Sequence, residues 1–306
     1  MVRELQPKCF LMENVRGLHS MPLVPQAHSD SVEHFLPWMA EKGSLMKELV
    51  RSLRSQGYVV DVFLVNSVNY GAPQIRERML IVGNRLGVQN PVFDATHSNR
   101  PQDQLLPFRT LRDAIGDRFE DPVPELMNFS ERKLRYLEMV PPGGNWRSLP
   151  IEIQKESMGK SWYLKGGRSA TWRRLSWDYP SPTVVTMPNH ASTSMCHPSE
   201  VRALTVGECA AIQECPSDWR FLGTTAEKYR QIGNAVPVRL GRVAGNAISA
   251  MLHNKVPAHR HVSDDEGVNV IHLRPHVRTK RYWHNGKALA GDNGYYDAGV
   301  PLFETA

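Results

Sequence analysis

The sequence predicts an α/β protein in two parts, a regular sheet-and-helix portion followed by an irregular, loop-rich portion. Two observations carry this expectation. Apolar, β-branched runs at 7–15, 59–65 and 79–82 are interrupted by a helical pattern from Ser44 to Ser55, the strand, helix, strand, strand order of an α/β sheet. Beyond Thr96 the regular periodicity stops and prolines crowd in, among them Pro101, Pro107, Pro122, Pro124, Pro141, Pro142, Pro150, Pro180 and Pro182.

Taken in order, Pro7 to Val15 reads as a short buried strand whose apolar run ends in the polar pair Glu13 and Asn14, after which Arg16, Gly17 and Leu18 turn the chain. Leu45, Met46, Leu49, Val50 and Leu53 form one apolar stripe, and Gly57 supplies a C-terminal stop. Val59 to Val65 and Met79 to Val82 are the next two strands. Thr205, with Glu208 three positions on, is a capping box that opens a helix through Gln213, and Val238 to His253 forms a last apolar helix. No internal repeat is present.

Composition narrows the class. With 306 residues, 41% hydrophobic and 22% charged, the chain has material for about two domains, and disorder, collagen-like repeats and a disulfide scaffold are excluded. No run reaches the ~20 apolar residues of a membrane span, and Met1-Val2-Arg3-Glu4 lacks the layout of a secretion signal, so a cytoplasmic location is expected. Cys9, Cys196, Cys209 and Cys215 show no metal or redox spacing and read as core residues. His259, His261, His272, His276 and His284 match no compact ligand pattern, and no metal is expected. Between Arg132 and Arg174 stand ten Lys and Arg against three acidic residues, which suits a polyanion partner or a solvated basic face.

Four segments stand out: Glu13-Asn14-Val15 at a strand end, Gln74 to Arg78, Arg202 to Thr205 with Glu208 and Gln213, and Tyr229 to Pro237. A carboxyl group at the C-terminal end of a strand sits where α/β enzymes place their sites. Arg76 and Arg78 alternate on an extended segment, so they should face one side, as a ligand-binding pair or as two surface arginines on a sheet edge. Gly233 before Asn234 allows a close backbone approach, and Asn234 would also serve as a helix N-cap.

In this order and spacing the four segments resemble the C-terminal part of the cytosine-5 DNA methyltransferase family, from about Pro7 to His253. The resemblance implies a partial Rossmann-like, S-adenosylmethionine-dependent methyltransferase domain over 1–95, rejoined by 233–253. It also implies a loop-rich target-recognition domain over 96–232, and leaves 254–306 as a tail of unassigned role. It implies methyl transfer to carbon 5 of a cytosine flipped out of double-stranded DNA, in a restriction-modification system. By resemblance Glu13 assists at the ring nitrogen, Arg76 contacts the base, Arg78 braces the site, and Asn234 and Ala235 touch S-adenosylmethionine. Gln74, Arg168, Arg173, Arg174 and Thr183 are the expected DNA contacts. The family's Phe-Xaa-Gly-Xaa-Gly turn and Pro-Cys nucleophile do not occur in the sequence. A second subunit carrying both is therefore expected; a truncated methyltransferase that only binds DNA or another protein, or a front part lost from the reading frame, are the alternatives.

Overall fold

A computed structural model of the chain describes residues 1–253, apart from 33, 164–167, 169 and 191, together with 270–273 and the backbone of 283–284 and 287–288. Along the chain come α1 (Val2–Leu5), β1 (Cys9–Val15), α2 (Ser44–Arg54), β2 (Val59–Asn66), β3 (Gln74–Ile75) and β4 (Glu77–Asn84). They are followed by α3 (Leu111–Ile115), α4 (Glu131–Leu137), α5 (Ile151–Met158), β5 (Ser181–Pro182), α6 (Val206–Ile212), α7 (Thr225–Asn234), α8 (Val238–Leu252) and β6 (Val270–His272). The chain divides into two units.

The first unit comprises Met1–Asn66, Glu77–Ala95 and the described residues of Gly241–Arg274. Its sheet has the order β1-β4-β2-β6, with β4 antiparallel to both β1 and β2, and β6 parallel to β2. One face carries Val60, Val62, Met79 and Ile81, on which α2 lays Met46, Val50 and Leu53. Spacings of two in a strand and three to four in a helix make these stripes coincide. Phe10 and Met12 of β1 join the same cluster from its margin.

The expectation of a buried strand at Pro7 to Val15 needs correction. Among the described residues β1 pairs on one side only, and Leu11 and Val15 stand exposed. An apolar run marks a strand but not its place in the sheet; here β4 enters between β1 and β2.

The second unit comprises Ser67–Arg76 and Thr96–Leu240 with the described residues beyond 275. Segment 67–76 thus groups with the loop-rich part. Helices are more frequent in it than the prolines suggest. One cluster gathers Leu111 and Ile115 of α3, Cys209 and Ile212 of α6, and Tyr229 and Ile232 of α7. Another gathers Tyr136, Leu137, Trp146, Met158 and Trp172. Capping boxes at Thr110 with Asp113, Thr205 with Glu208 and Thr224 with Glu227 start α3, α6 and α7. The Thr224 pattern is as plain in the sequence as the one at Thr205, and would have announced α7. Arg202 closes the α6 box from outside, giving Nη1 and Nη2 to the two oxygens of Glu208 at 2.8 Å each.

Candidate functional site

Glu13 and Arg78 meet where β1 ends and β4 begins. Val15 is the ladder partner of Arg78 and Glu13 that of Leu80, so the two side chains are diagonal neighbours on one face. Arg78 Nε lies 2.6 Å from Glu13 Oε1, with the arginine side chain 12% and the glutamate 27% exposed. Nη1 of Arg78 donates to the Glu77 carbonyl at 2.7 Å, and Glu77 in turn pairs with Arg16 at 2.9 Å. Burial pulls the Arg78 pKa down, partly offset by the Glu13 carboxylate beside it. A charged fork and a carboxylate are thus held side by side at a strand end, partly open to solvent. Such a pair can grip a planar polar ring by directed hydrogen bonds.

Arg76 is employed differently. It falls in the break between β3 and β4, so the strict alternation that would set it beside Arg78 does not operate. Its side chain is 1% exposed. Nη1 donates to the Val184 carbonyl at 2.9 Å, and Nη2 to the Gly233 and Ala235 carbonyls at 2.7 and 2.8 Å. The last carbonyls of a helix have no partner within it, and a guanidinium is a suitable cap for them.

Gln74 belongs to the same buried network. Its Nε2 donates to Gln213 Oε1 at 2.9 Å, and its Oε1 accepts from the Val184 amide at 2.9 Å. Gln213 Nε2 donates to the Ile232 and Ala235 carbonyls. The Thr183 hydroxyl donates to the Ile75 carbonyl at 2.9 Å, beside the β3–β5 pairing. Gly233 sits so near Val185 and Thr186 that an added Cβ would lie 2.6 Å from the Thr186 amide nitrogen. The glycine therefore serves close packing of α7 on the 184–186 backbone. Asn234 is the last residue of α7, rather than a cap for the helix that follows, and its side chain is exposed.

The expected DNA contacts are also largely committed to the protein itself. Gln74 is fully buried. Arg168 Nη1 donates to the Ser161 carbonyl, Arg173 Nε to that of Ser194, and Arg174 to those of Val140, Pro198 and Ser199. Burial lowers the Arg173 pKa to about 10. In a region poor in regular structure, guanidinium groups take up carbonyls that strands or helices would otherwise satisfy. The basic surplus is thus partly internal scaffolding, a use that charge counting cannot separate from a DNA-facing patch.

All four cysteine thiols have pKa values raised by burial, that of Cys196 to about 11. None is poised as a thiolate near neutral pH. Among the described residues no group of three or more His, Cys, Asp or Glu could hold a metal ion. Of the histidines beyond 253, His259, His261 and His276 lie outside the described residues. No helix among the described residues is long and apolar enough to cross a membrane.

The family described as C-5 cytosine-specific DNA methylase matches residues 1–250. The chain belongs to this family. It is 39% identical over 257 residues to the Type II methyltransferase M.PspPI of Psychrobacter sp., covering 82% of this chain and 56% of that protein. It is 38% identical over 257 residues to M.Eco47II of Escherichia coli, covering 82% and 55%. M.Sau96I of Staphylococcus aureus is 35% identical over 251 residues, covering 80% and 51%. This C-5 methylase chain therefore spans about half the length of the curated relatives it matches.

Proposed function

We propose that this C-5 methylase chain forms the base-holding and target-recognition part of a DNA (cytosine-5)-methyltransferase in a restriction-modification system. The Glu13–Arg78 pair carries the reading: a non-catalytic DNA binder has no use for a guanidinium-backed carboxylate at a strand end. The target cytosine leaves the stack to be reached. Glu13 takes up a proton from solvent when the base is seated and passes it to ring nitrogen 3 as a thiolate adds to carbon 6, which makes carbon 5 nucleophilic. Arg78 holds the Glu13 carboxylate in place and offers its remaining N–H groups to the base. This reverses the roles that resemblance suggested for the two arginines, and Arg76 becomes a structural cap. After methyl transfer, loss of the carbon 5 proton to solvent, expulsion of the thiolate and return of the ring nitrogen 3 proton to Glu13 restore the neutral aromatic ring.

S-adenosylmethionine would supply an electrophilic methyl group. Asn234, exposed at the end of α7 with an amide able to donate and accept, suits a contact to it, whereas the Ala235 carbonyl is already taken by Arg76 and Gln213. The thiolate is proposed to come from a complementary part bearing the glycine-rich turn and Pro-Cys loop. None of the four cysteines here follows a proline or escapes the burial that opposes ionisation. The pairing of β1 on one side only among the described residues, with its exposed Leu11 and Val15, suits an added strand of that part.

The test is co-expression of the full chain with the front portion of M.PspPI, followed by measurement of 5-methylcytosine in cellular DNA. New 5-methylcytosine that disappears in Glu13→Gln is the expected result. A stable complex without new 5-methylcytosine would refute the reading, as would methylation indifferent to Glu13→Gln.

A further inference from the structure

Lys133 lies on α4, in the second unit, yet is 3% exposed. Its Nζ donates to the carbonyls of Asn189, His190 and Thr193, and sits 4.7 Å from the centre of the Phe129 ring. All three donors of the ammonium are used on one loop, and the aromatic face takes up remaining charge. Burial lowers its pKa to about 8, which leaves it protonated at neutral pH.

The described residues on either side of His190 are held by further bonds. The Asn189 amide donates to the Asn128 carbonyl, the Met195 amide to Pro188, the Ser194 amide to Ala170, and Arg173 Nε to the Ser194 carbonyl. This anchoring leaves His190 and Ser192 exposed. The Ser192 backbone N–H donates to His190 Nδ1 at 3.3 Å, and its hydroxyl lies 3.0 Å from the same nitrogen. Nδ1 is therefore the acceptor, and in the neutral ring the proton stands on Nε2. The loop thus presents one oriented N–H donor, with its tautomer set by Ser192 and its backbone set by Lys133. An interior ammonium spent on a single loop is a costly way to hold a surface turn unless the position of that turn matters.

We propose that His190 is a sequence-reading residue, its Nε2–H donating to an acceptor on a base edge such as a purine N7, and that Lys133 is the positioning residue that holds it there. The inference rests on the DNA-acting reading above. A donor aimed at a base edge acts on sequence choice, whereas one aimed at phosphate acts on affinity for every sequence alike.

Selection by the full chain from a duplex pool with a randomised centre tests this. Wild type is expected to enrich one sequence class. His190→Ala should keep its salt dependence but lose preference at one position by about fivefold, and His190→Asn, which retains an N–H donor, should recover part of it. Lys133→Met should lose preference at the same position while its phosphate-driven affinity persists. His190→Ala is a surface change, so it decides the matter even where Lys133→Met fails to fold. Unchanged enrichment in His190→Ala overturns the proposal. A uniform loss across sequences, with the salt slope reduced by about one, assigns His190 to phosphate and overturns it too. A wild-type chain that enriches no sequence overturns the DNA reading itself, and this proposal with it.

Discussion

Arg76→Met separates a structural arginine from a base-binding one. The substitution keeps the aliphatic stem but removes the Nη1 donor to Val184 and the Nη2 donor to Gly233 and Ala235. A hydrogen bond from a charged group contributes about 1.5–3 kcal/mol net, and each acceptor left buried without a partner costs about 1–3 kcal/mol. Gln213 still serves Ala235, so the full penalty falls on Val184 and Gly233. Less burial of a charge partly offsets the loss. The expected fall in unfolding free energy is about 3–5 kcal/mol, which for a unit of this size lowers Tm by roughly 10 °C. Urea titration followed by tryptophan fluorescence, beside a thermal melt, reads both numbers. A variant that melts within about 1 kcal/mol of wild type yet loses methyl transfer would refute the argument and return Arg76 to the base.

Other outcomes follow from the same geometry. Arg78→Ala should cost about 1–3 kcal/mol of stability, since the arginine is largely buried and its loss leaves Glu13 without its partner, while methyl transfer by the proposed assembled enzyme falls about a hundredfold or more; a loss of stability with the rate unchanged would contradict the assignment. Gly233→Ala drives a Cβ to 2.6 Å from the Thr186 amide nitrogen, against backbone that has little freedom to yield. A loss of about 1–3 kcal/mol is expected, and a melt unchanged from wild type would deny the close approach. His97 and His197 both have pKa values lowered chiefly by burial. The unfolded chain therefore binds these protons first, and stability should decline as pH falls through the ordinary histidine value of about 6.5. Urea midpoints at successive pH values should show a shallower decline in His97→Gln, and an identical slope would exclude its share.

Much of this was legible in the sequence because it depends on neighbours along the chain. Periodicity located α2, β2, β4 and α8 within a few residues, and the Thr205–Glu208 box located α6. The strand-end position of Glu13 and the C-5 methylase family were readable from short segments for the same reason: their letters stand close together. The edge position of β1 was not readable, because a short apolar run such as residues 9–12 looks alike at the centre and at the margin of a sheet. α7 differs: its Thr224–Glu227 capping box is local, but Gly233 stands near its end and Arg230, Gln231 and Asn234 break the apolar stripe that marks the other helices.

What the sequence by itself determined is the family, the element types and the presence of a strand-end carboxylate with arginines to serve it. Which arginine serves it was decided only by tertiary structure. Two residues apart in the chain, Arg76 and Arg78 have the same chemistry, and no local pattern tells one from the other. The strand break after Ile75 and the arrival of Val184, Gly233 and Ala235 from more than a hundred residues away surround the first with carbonyls, while the antiparallel register of β1 on β4 delivers Glu13 to the second. A guanidinium binds whatever acceptors the fold brings within 3 Å of it, and that choice is made by long-range packing.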